Sequence, residues 1–134
     1  MDRKKIVSGI IVADNKVLLL DHNKLKQWTI PIGKVDEGES VYAAFHREMD
    51  EEVGILVVKA AAVQTTLVPC NILPDVEKWH TVYRVSTYLG TAYNKEPHKH
   101  QDMRWVTKEE LQHLVSLQRV NTLTIELLRS GLLL

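Results

Sequence analysis

The stretch GKVDEGESVYAAFHREMDEEVGI, residues 33–55, carries the strongest structural signal in this chain. A turn containing glycine precedes a segment whose apolar residues recur at helical spacing: Val41, Phe45 and Met49. Projected at about 100° per residue, Glu48 and Glu52 lie along the Val41 edge of this stripe rather than on the opposite, solvated face. The pattern therefore predicts a short amphipathic helix with carboxylates at the border of its buried face.

The placement of these carboxylates favours a bound cation. Glu48 and Glu52 are four residues apart, and Glu48 and Glu51 are three apart, so the three acids are expected to converge on one patch. They also stand in the C-terminal half of the helix, where the macrodipole disfavours anions. Oxygen ligands of this kind suit Mg²⁺ or Mn²⁺. An ordinary acidic helix end is the alternative interpretation. Cys70, the single cysteine, has no histidine at ligand spacing and offers no rival site.

The same residues resemble the sequence motif of the Nudix hydrolase family. That motif has a glycine, five residues, a glutamate, seven residues, Arg-Glu, an aliphatic residue, any residue, Glu-Glu, any residue, a glycine and an aliphatic residue. In this chain the positions are Gly33, Glu39, Arg47, Glu48, Met49, Glu51, Glu52, Gly54 and Ile55. Every fixed position matches, and the one departure lies just upstream, where Pro31-Ile32-Gly33 replaces the Pro-Gly-Gly of many members.

The resemblance implies roles for these residues. Glu48 and Glu52 are implied to be the principal ligands of Mg²⁺, for which Mn²⁺ can substitute, and the Gly33 carbonyl is a candidate to complete the site. Glu51 is implied to bind the metal or to abstract a proton. Either Glu48 or Glu51 serves as the general base in different members, and both stay open here. Arg47 is expected to orient a glutamate.

In this family residues outside the motif select the substrate, and the candidates for substrate contact are three such residues together with Glu39 of the motif. The segment EPHKHQDMRW, residues 96–105, resembles the Glu-Pro-x-Lys…Trp stretch of small Nudix nucleoside triphosphate diphosphatases. This implies that Glu96 or Asp102 is an extra ligand, although a solvated loop is equally compatible. Trp28 is a candidate for stacking on a base, while a core position is the alternative. Glu39, the expected partner of Arg47, is the fourth candidate. His98 and His100 are expected to be exposed loop residues.

Length and composition indicate one globular domain that spans residues 1–134, and the resemblance implies that it is a Nudix domain. Apolar residues make up 45% of the chain, and 17 basic residues balance 17 acidic ones. This neutral balance argues against a nucleic-acid polymer or an anionic membrane as partner. The first apolar run is short and interrupted, so neither a membrane span nor a signal peptide is expected. A single cysteine is compatible with a cytoplasmic location. Monomer and homodimer both stay open.

The order of predicted elements indicates the fold class. Extended segments are predicted at residues 6–13, 16–21, 28–30, 56–68, 81–91 and 103–106. Helices are predicted at residues 40–53, 107–115 and 121–129, with Ser40 as an N-cap, Gly54 as a C-terminal stop and a capping box from Thr107 to Glu110. Asp14-Asn15 is a predicted tight turn, and residues 70–78 a loop. Strands with interspersed helices predict an α/β fold with a mixed sheet between helices, and the resemblance implies the Nudix-type α/β/α sandwich.

The sequence leaves three functions open. The first is a Mg²⁺-dependent hydrolase that converts a (d)NTP to (d)NMP and pyrophosphate, favoured by the small size and by the resemblance of residues 96–105. The second is hydrolysis of ADP-ribose, a nucleotide sugar or a dinucleoside polyphosphate. The third is a non-catalytic module that binds nucleotides for regulation. Degenerate members of the family lose glutamates of the motif, whereas this chain keeps all of them, which disfavours the third function.

Overall fold

The structure, a computed structural model, describes residues 4–69 and 77–134. Its elements follow in the order β1 (Lys4–Ala13), β2 (Lys16–His22), β3 (Gln27–Thr29), β4 (Ile32–Lys34), α1 (Val41–Val53), β5 (Leu56–Pro69), β6 (Glu77–Leu89), β7 (His100–Val106), α2 (Lys108–Ser116) and α3 (Thr122–Arg129). Cys70 and most of the predicted 70–78 loop lie outside the described residues. None of the three described helices combines the length and apolarity needed to cross a membrane.

The strands form one mixed sheet in which β1 has a central place. The main strand order is β3-β2-β1-β6-β5, with β4 also paired to β1 and β7 also paired to β2. The pairing of β1 with β6 is parallel, and the other strand pairs are antiparallel. Val7 of β1 stands opposite Gly33 of β4. The sheet therefore fixes the turn before α1 directly against its central strand.

Helices cover both faces of this sheet. Val7 and Ile11 of β1 pack with Phe45 of α1 in one core, whereas Ile10 packs with Leu111 of α2 and Leu127 of α3 in a second core. Successive side chains of a strand point to opposite faces, so the two cores lie on opposite sides of the sheet. The arrangement is the predicted α/β/α sandwich.

The local signals that set the helix ends act as predicted. The Ser40 hydroxyl accepts a hydrogen bond from Ala43 N, and Gly54 ends α1 in the left-handed conformation with φ of 67°. Thr107 and Glu110 form the capping box of α2. Asp14 and Asn15 both have positive φ, 52° and 62°, as the turn between β1 and β2 requires.

Three segments differ from the sequence prediction. Residues 32–34, expected within the glycine loop, form the short strand β4, since β1 offers them a partner in the sheet. β6 begins at Glu77 rather than at residue 81 because its first residues pair with the end of β5. β7 begins at His100 rather than at Met103, paired with His22 of β2. In each case pairing with a strand that is distant in sequence sets the extended conformation.

Candidate active site

The site is built around the C-terminal half of α1, which lies beside β4. Glu48 and Glu52 are buried, and only 3% of Glu52 is exposed, whereas the side chain of Glu51 is 47% exposed. Gly33 approaches this face so closely that a Cβ atom there would lie 2.1 Å from Cδ of Glu48. The motif therefore needs glycine at this position for space, because any side chain would occupy the volume of the Glu48 carboxylate.

Arg47 organises the exposed side of the site. Its Nε donates to Glu39 Oε2 over 2.8 Å and its Nη2 donates to Glu39 Oε1 over 2.9 Å. Its Nη1 donates to Glu48 Oε1 over 2.9 Å and to Glu51 Oε2 over 3.1 Å, and Nη2 also donates to the Lys34 carbonyl. The expected pairing of Arg47 with Glu39 is thus present and bidentate, a geometry that only a guanidinium provides. Glu39 is a structural partner of Arg47 here.

The charges of the site shift several pKa values. Burial is the main cause that raises the pKa of Glu52 well above its usual range, and the neighbouring charges of Glu48 and Glu96 act in the same direction. Burial also raises the pKa of Glu48, against the opposing effect of Arg47. The hydrogen bonds from Arg47 lower the pKa of Glu39 to about 2. Glu52 is therefore a buried acid whose negative charge the protein alone compensates poorly.

A loop after β6 brings one further acid to Glu52. Tyr93 N donates to the Val53 carbonyl and Lys95 N donates to the Glu52 carbonyl, so the loop is anchored to the last turn of α1. Glu96 lies near enough to raise the pKa of Glu52, and its Oε1 is buried without a hydrogen-bond partner. Lys99 Nζ lies 3.3 Å from Glu96 Oε2. Of the two loop candidates from the sequence, Glu96 is therefore the one that reaches the site.

Asp102, the other loop candidate, points elsewhere. Its side chain is 43% exposed and its Oδ2 accepts a hydrogen bond from Arg104 Nε over 3.0 Å, while Oδ1 accepts from Met103 N. The strand β7 fixes this orientation, because Asp102 lies within β7 rather than in a loop. With both carboxylate oxygens engaged, Asp102 is not placed as a ligand beside Glu52.

His100 corrects an expectation from the sequence. It was expected in an exposed loop, yet it is 1% exposed, and its Nε2 lies 3.8 Å from Glu52 Oε1. Burial is the largest cause that lowers the pKa of His100 to about 4, so the ring is neutral near pH 7. Its burial results from pairing with His22, a residue distant in sequence, and no local pattern indicated it. His98, by contrast, is exposed as expected.

Trp28 lies in the core rather than in an open cleft. It is 5% exposed in β3 and belongs to the core formed with α2 and α3. The guanidinium of Arg104 lies 5.2 Å from the centre of its ring. Because the ring is enclosed, this geometry argues against the expected stacking of Trp28 on a substrate base.

The residues present fit a hard divalent cation, although the carboxylates do not all converge as expected. Within residues 4–69 and 77–134, no three histidine, cysteine or acidic side chains are gathered into a ligand cluster. Glu48 and Glu51 turn towards Arg47, since its guanidinium supplies donors to both. Glu52 Oε2 is nevertheless buried without a hydrogen-bond partner, beside Glu48 and Glu96. A buried carboxylate with one oxygen unpaired, near two further acids and with Ile32 N and Lys99 as opposing influences, is chemically suited to bind Mg²⁺ or Mn²⁺.

Comparisons with known proteins agree with this geometry. Residues 3–126 match the model of the NUDIX domain family. The chain is 31% identical over 112 residues to the CTP pyrophosphohydrolase of Escherichia coli, covering 79% of this chain and 77% of that protein. It is 26% identical over 114 residues to the uncharacterized Nudix hydrolase YvcI of Bacillus subtilis, covering 83% and 70% of the two chains. The crystal structure of a MutT NUDIX hydrolase from Burkholderia pseudomallei superposes with a TM-score of 0.74 at 24% identity, covering 90% of this chain and 100% of that one. With the complete motif arranged on α1 and β4, this chain belongs to the Nudix hydrolase family of enzymes.

Proposed function

We propose that this chain is a Mg²⁺-dependent pyrophosphohydrolase that converts a (d)NTP and water to (d)NMP and pyrophosphate, with Mn²⁺ able to replace Mg²⁺. The observation that carries the proposal is the buried, unpartnered carboxylate oxygen of Glu52 beside Glu48 and Glu96. Such a group is costly in a folded protein unless a cation compensates it. We place the proposed site within a single domain that spans residues 1–134.

The proposed ligands are Glu48, Glu52 and Glu51, with the Gly33 carbonyl. When bound, the metal would neutralise phosphate oxygens and polarise the attacking water. Arg47 holds Glu48 and Glu51 through one nitrogen, so it fixes the distance between these two carboxylates. Glu51 is the more exposed of the two and is therefore the more accessible base for a water proton. Both residues remain candidates for the general base.

Two observations support a nucleoside triphosphate as the substrate of this chain. The Escherichia coli relative that aligns with most of this chain is named a CTP pyrophosphohydrolase. Glu96, from the segment that resembles small nucleoside triphosphate diphosphatases, lies beside Glu52. Hydrolysis of ADP-ribose, a nucleotide sugar or a dinucleoside polyphosphate remains the second candidate within the family. A monomer and a homodimer are both compatible with the proposed site.

A screen with metal and nucleotide varied independently tests this function. Purified protein is incubated with each (d)NTP, ADP-ribose, a nucleotide sugar and a dinucleoside polyphosphate, with Mg²⁺, Mn²⁺ or excess EDTA, and products are identified by ³¹P NMR and ion-exchange chromatography. We expect monophosphate and pyrophosphate from a (d)NTP, no turnover in EDTA and higher rates at alkaline pH. Full turnover in excess EDTA would contradict the metal mechanism. Orthophosphate as the first product would contradict the assigned bond cleavage.

A further inference from the structure

Several buried polar atoms around Glu52 have no hydrogen-bond partner among the described residues. They are Glu52 Oε2, Asn94 Oδ1, Glu96 Oε1 and His100 Nδ1. Three of these residues belong to one segment, 94–100, which is tied to the end of α1 through Lys95 N and the Glu52 carbonyl. Buried polar groups are normally paired, so a concentration of unpaired ones marks a place where function outweighs stability. The metal role proposed above accounts for the carboxylates but not for the histidine.

The backbone of His100 is fixed by two hydrogen bonds, and its ring packs against one neighbouring ring. Its backbone N donates to the Glu96 carbonyl over 3.0 Å, and its own carbonyl accepts from Asn94 Nδ2 over 2.7 Å. The ring of His22 packs edge-on against it, with ring centres 5.5 Å apart. His22 is itself fixed, because its Nδ1 accepts a hydrogen bond from Leu25 N. The backbone position of His100 is therefore set by the protein, with its ring packed beside that of His22.

We infer that His100 is a positioning residue for Glu52, whose carboxylate it orients through the imidazole Nε2–H. This inference rests on the proposed function, in which Glu52 binds the metal. The separation of 3.8 Å between Nε2 and Glu52 Oε1 is longer than a hydrogen bond, and the two atoms need to approach by only about 1 Å. A donor of this kind limits the orientations of a ligating carboxylate.

Two substitutions separate the Nε2 donor from the volume of the ring. In His100→Gln the side-chain amide nitrogen replaces Nε2, whereas in His100→Asn the amide is one carbon shorter and replaces Nδ1. We expect His100→Asn to raise the dissociation constant for Mn²⁺ by ~10-fold or more, measured by electron paramagnetic resonance of free Mn²⁺. His100→Gln should retain an affinity within about threefold of the original protein. The exposed His98→Asn, the same change two residues away, is the matched control and should leave Mn²⁺ binding unchanged.

The outcomes distinguish positioning from packing. An unchanged Mn²⁺ affinity in His100→Asn would overturn the inference, and so would an equal loss in both variants, because ring volume would then be what matters. Melting temperatures without metal check that the variants fold.

The original protein provides a second test. ¹⁵N NMR should show the Nε2–H tautomer of His100, and the Nδ1–H tautomer would also overturn the inference. If the original protein neither binds metal nor hydrolyses nucleotides, the proposed function fails. Metal binding that His100→Asn leaves intact removes only the role of His100.

Discussion

Glu52 is buried on the last turn of α1, where desolvation and the charges of Glu48 and Glu96 all raise the pKa of its carboxyl. Such an environment destabilises the ionised form of the residue. The same environment strengthens the attraction of the carboxylate for a cation, because little water competes with the protein for it. Stability and the proposed metal binding therefore place opposite demands on this one side chain, which makes it an informative residue to substitute.

Replacing Glu52 with glutamine should separate these demands. We expect kcat to fall by at least ~10²-fold, because the metal that neutralises phosphate charge would lose an anionic ligand. Melting temperature without metal should stay the same or rise, since glutamine keeps the volume and removes a buried charge. The stabilisation that Mg²⁺ confers should shrink. Kinetic assays and thermal melts with and without Mg²⁺ measure all three quantities. Glu37→Gln, on the exposed turn before α1, is the control. Near-native turnover of Glu52→Gln would refute the assignment of the site.

The residues of the site differ in how far the sequence predicts them. Glu39 was one possible partner of Arg47 once the family motif was recognised, and the structure forms this pair within one turn and one helix. The proximity of Glu96 to Glu52 required the family resemblance, because the two residues meet only through the docking of a distant loop. His100 was missed since its burial depends on pairing with β2. For Trp28, propensity could not distinguish a core position from a binding surface, and the structure favours the core.

At the scale of elements, the contact between β4 and α1 controls the Glu48 carboxylate. The ends of α1 were predictable because Ser40 and Gly54 are local signals, whereas β4 was not, because a strand of three residues exists only through pairing with β1. This pairing places Gly33 against Glu48. The sequence motif therefore requires glycine for the close approach of two elements, a requirement that becomes visible only when both elements are in place.

Two glycine-to-alanine substitutions test this interpretation. In Gly33→Ala the new Cβ meets the flexible end of Glu48, which can move away, so we expect a melting temperature within a few degrees of the original protein, and ~10²-fold lower kcat. In Gly9→Ala the new Cβ lies 2.6 Å from Met49 Sδ and 3.1 Å from Phe45 in the core. That variant should lose about 1–3 kcal/mol of stability and keep its turnover per folded molecule. Equal effects of both variants on kcat would contradict the interpretation.

At the scale of the whole molecule, a buried histidine outside the site makes the fold sensitive to acid. His80 of β6 is 2% exposed, and its Nε2 lies 2.6 Å from the Ser8 hydroxyl of β1. Burial lowers the pKa of His80 to about 4 from its usual value of 6.5. The unfolded chain therefore binds this proton at a higher pH than the folded protein does. The stability that the neutral His80 side chain contributes is fully present above pH 6.5 and is lost as the pH falls towards 4.

Through this difference in proton binding, His80 lowers the free energy of unfolding by about 3 kcal/mol as the pH falls from 7.5 to 4. We expect urea denaturation of the original protein to show a loss of this sign, to which the lowered pKa of His100 adds and which the raised pKa values of Glu48 and Glu52 oppose. His80→Asn should be less stable at pH 7.5, because packing is lost, and its stability should decline less between pH 7.5 and pH 4. The exposed His113→Asn serves as the control. A pH dependence unchanged in His80→Asn would contradict the assignment.

The central place of β1 has a consequence for how the chain reaches its folded state. The register pairs Lys4 with Lys78 and Ile11 with Val85 in the parallel β1–β6 ladder, contacts between residues 74 positions apart. Loop closure over such distances is slow compared with the formation of a hairpin or a helix. During synthesis, β1 can pair early with β2 and β4, but its other edge stays open until β6 has left the ribosome. The nascent chain therefore exposes an unpaired edge of β1 until β6 emerges, and such an edge can pair with other chains.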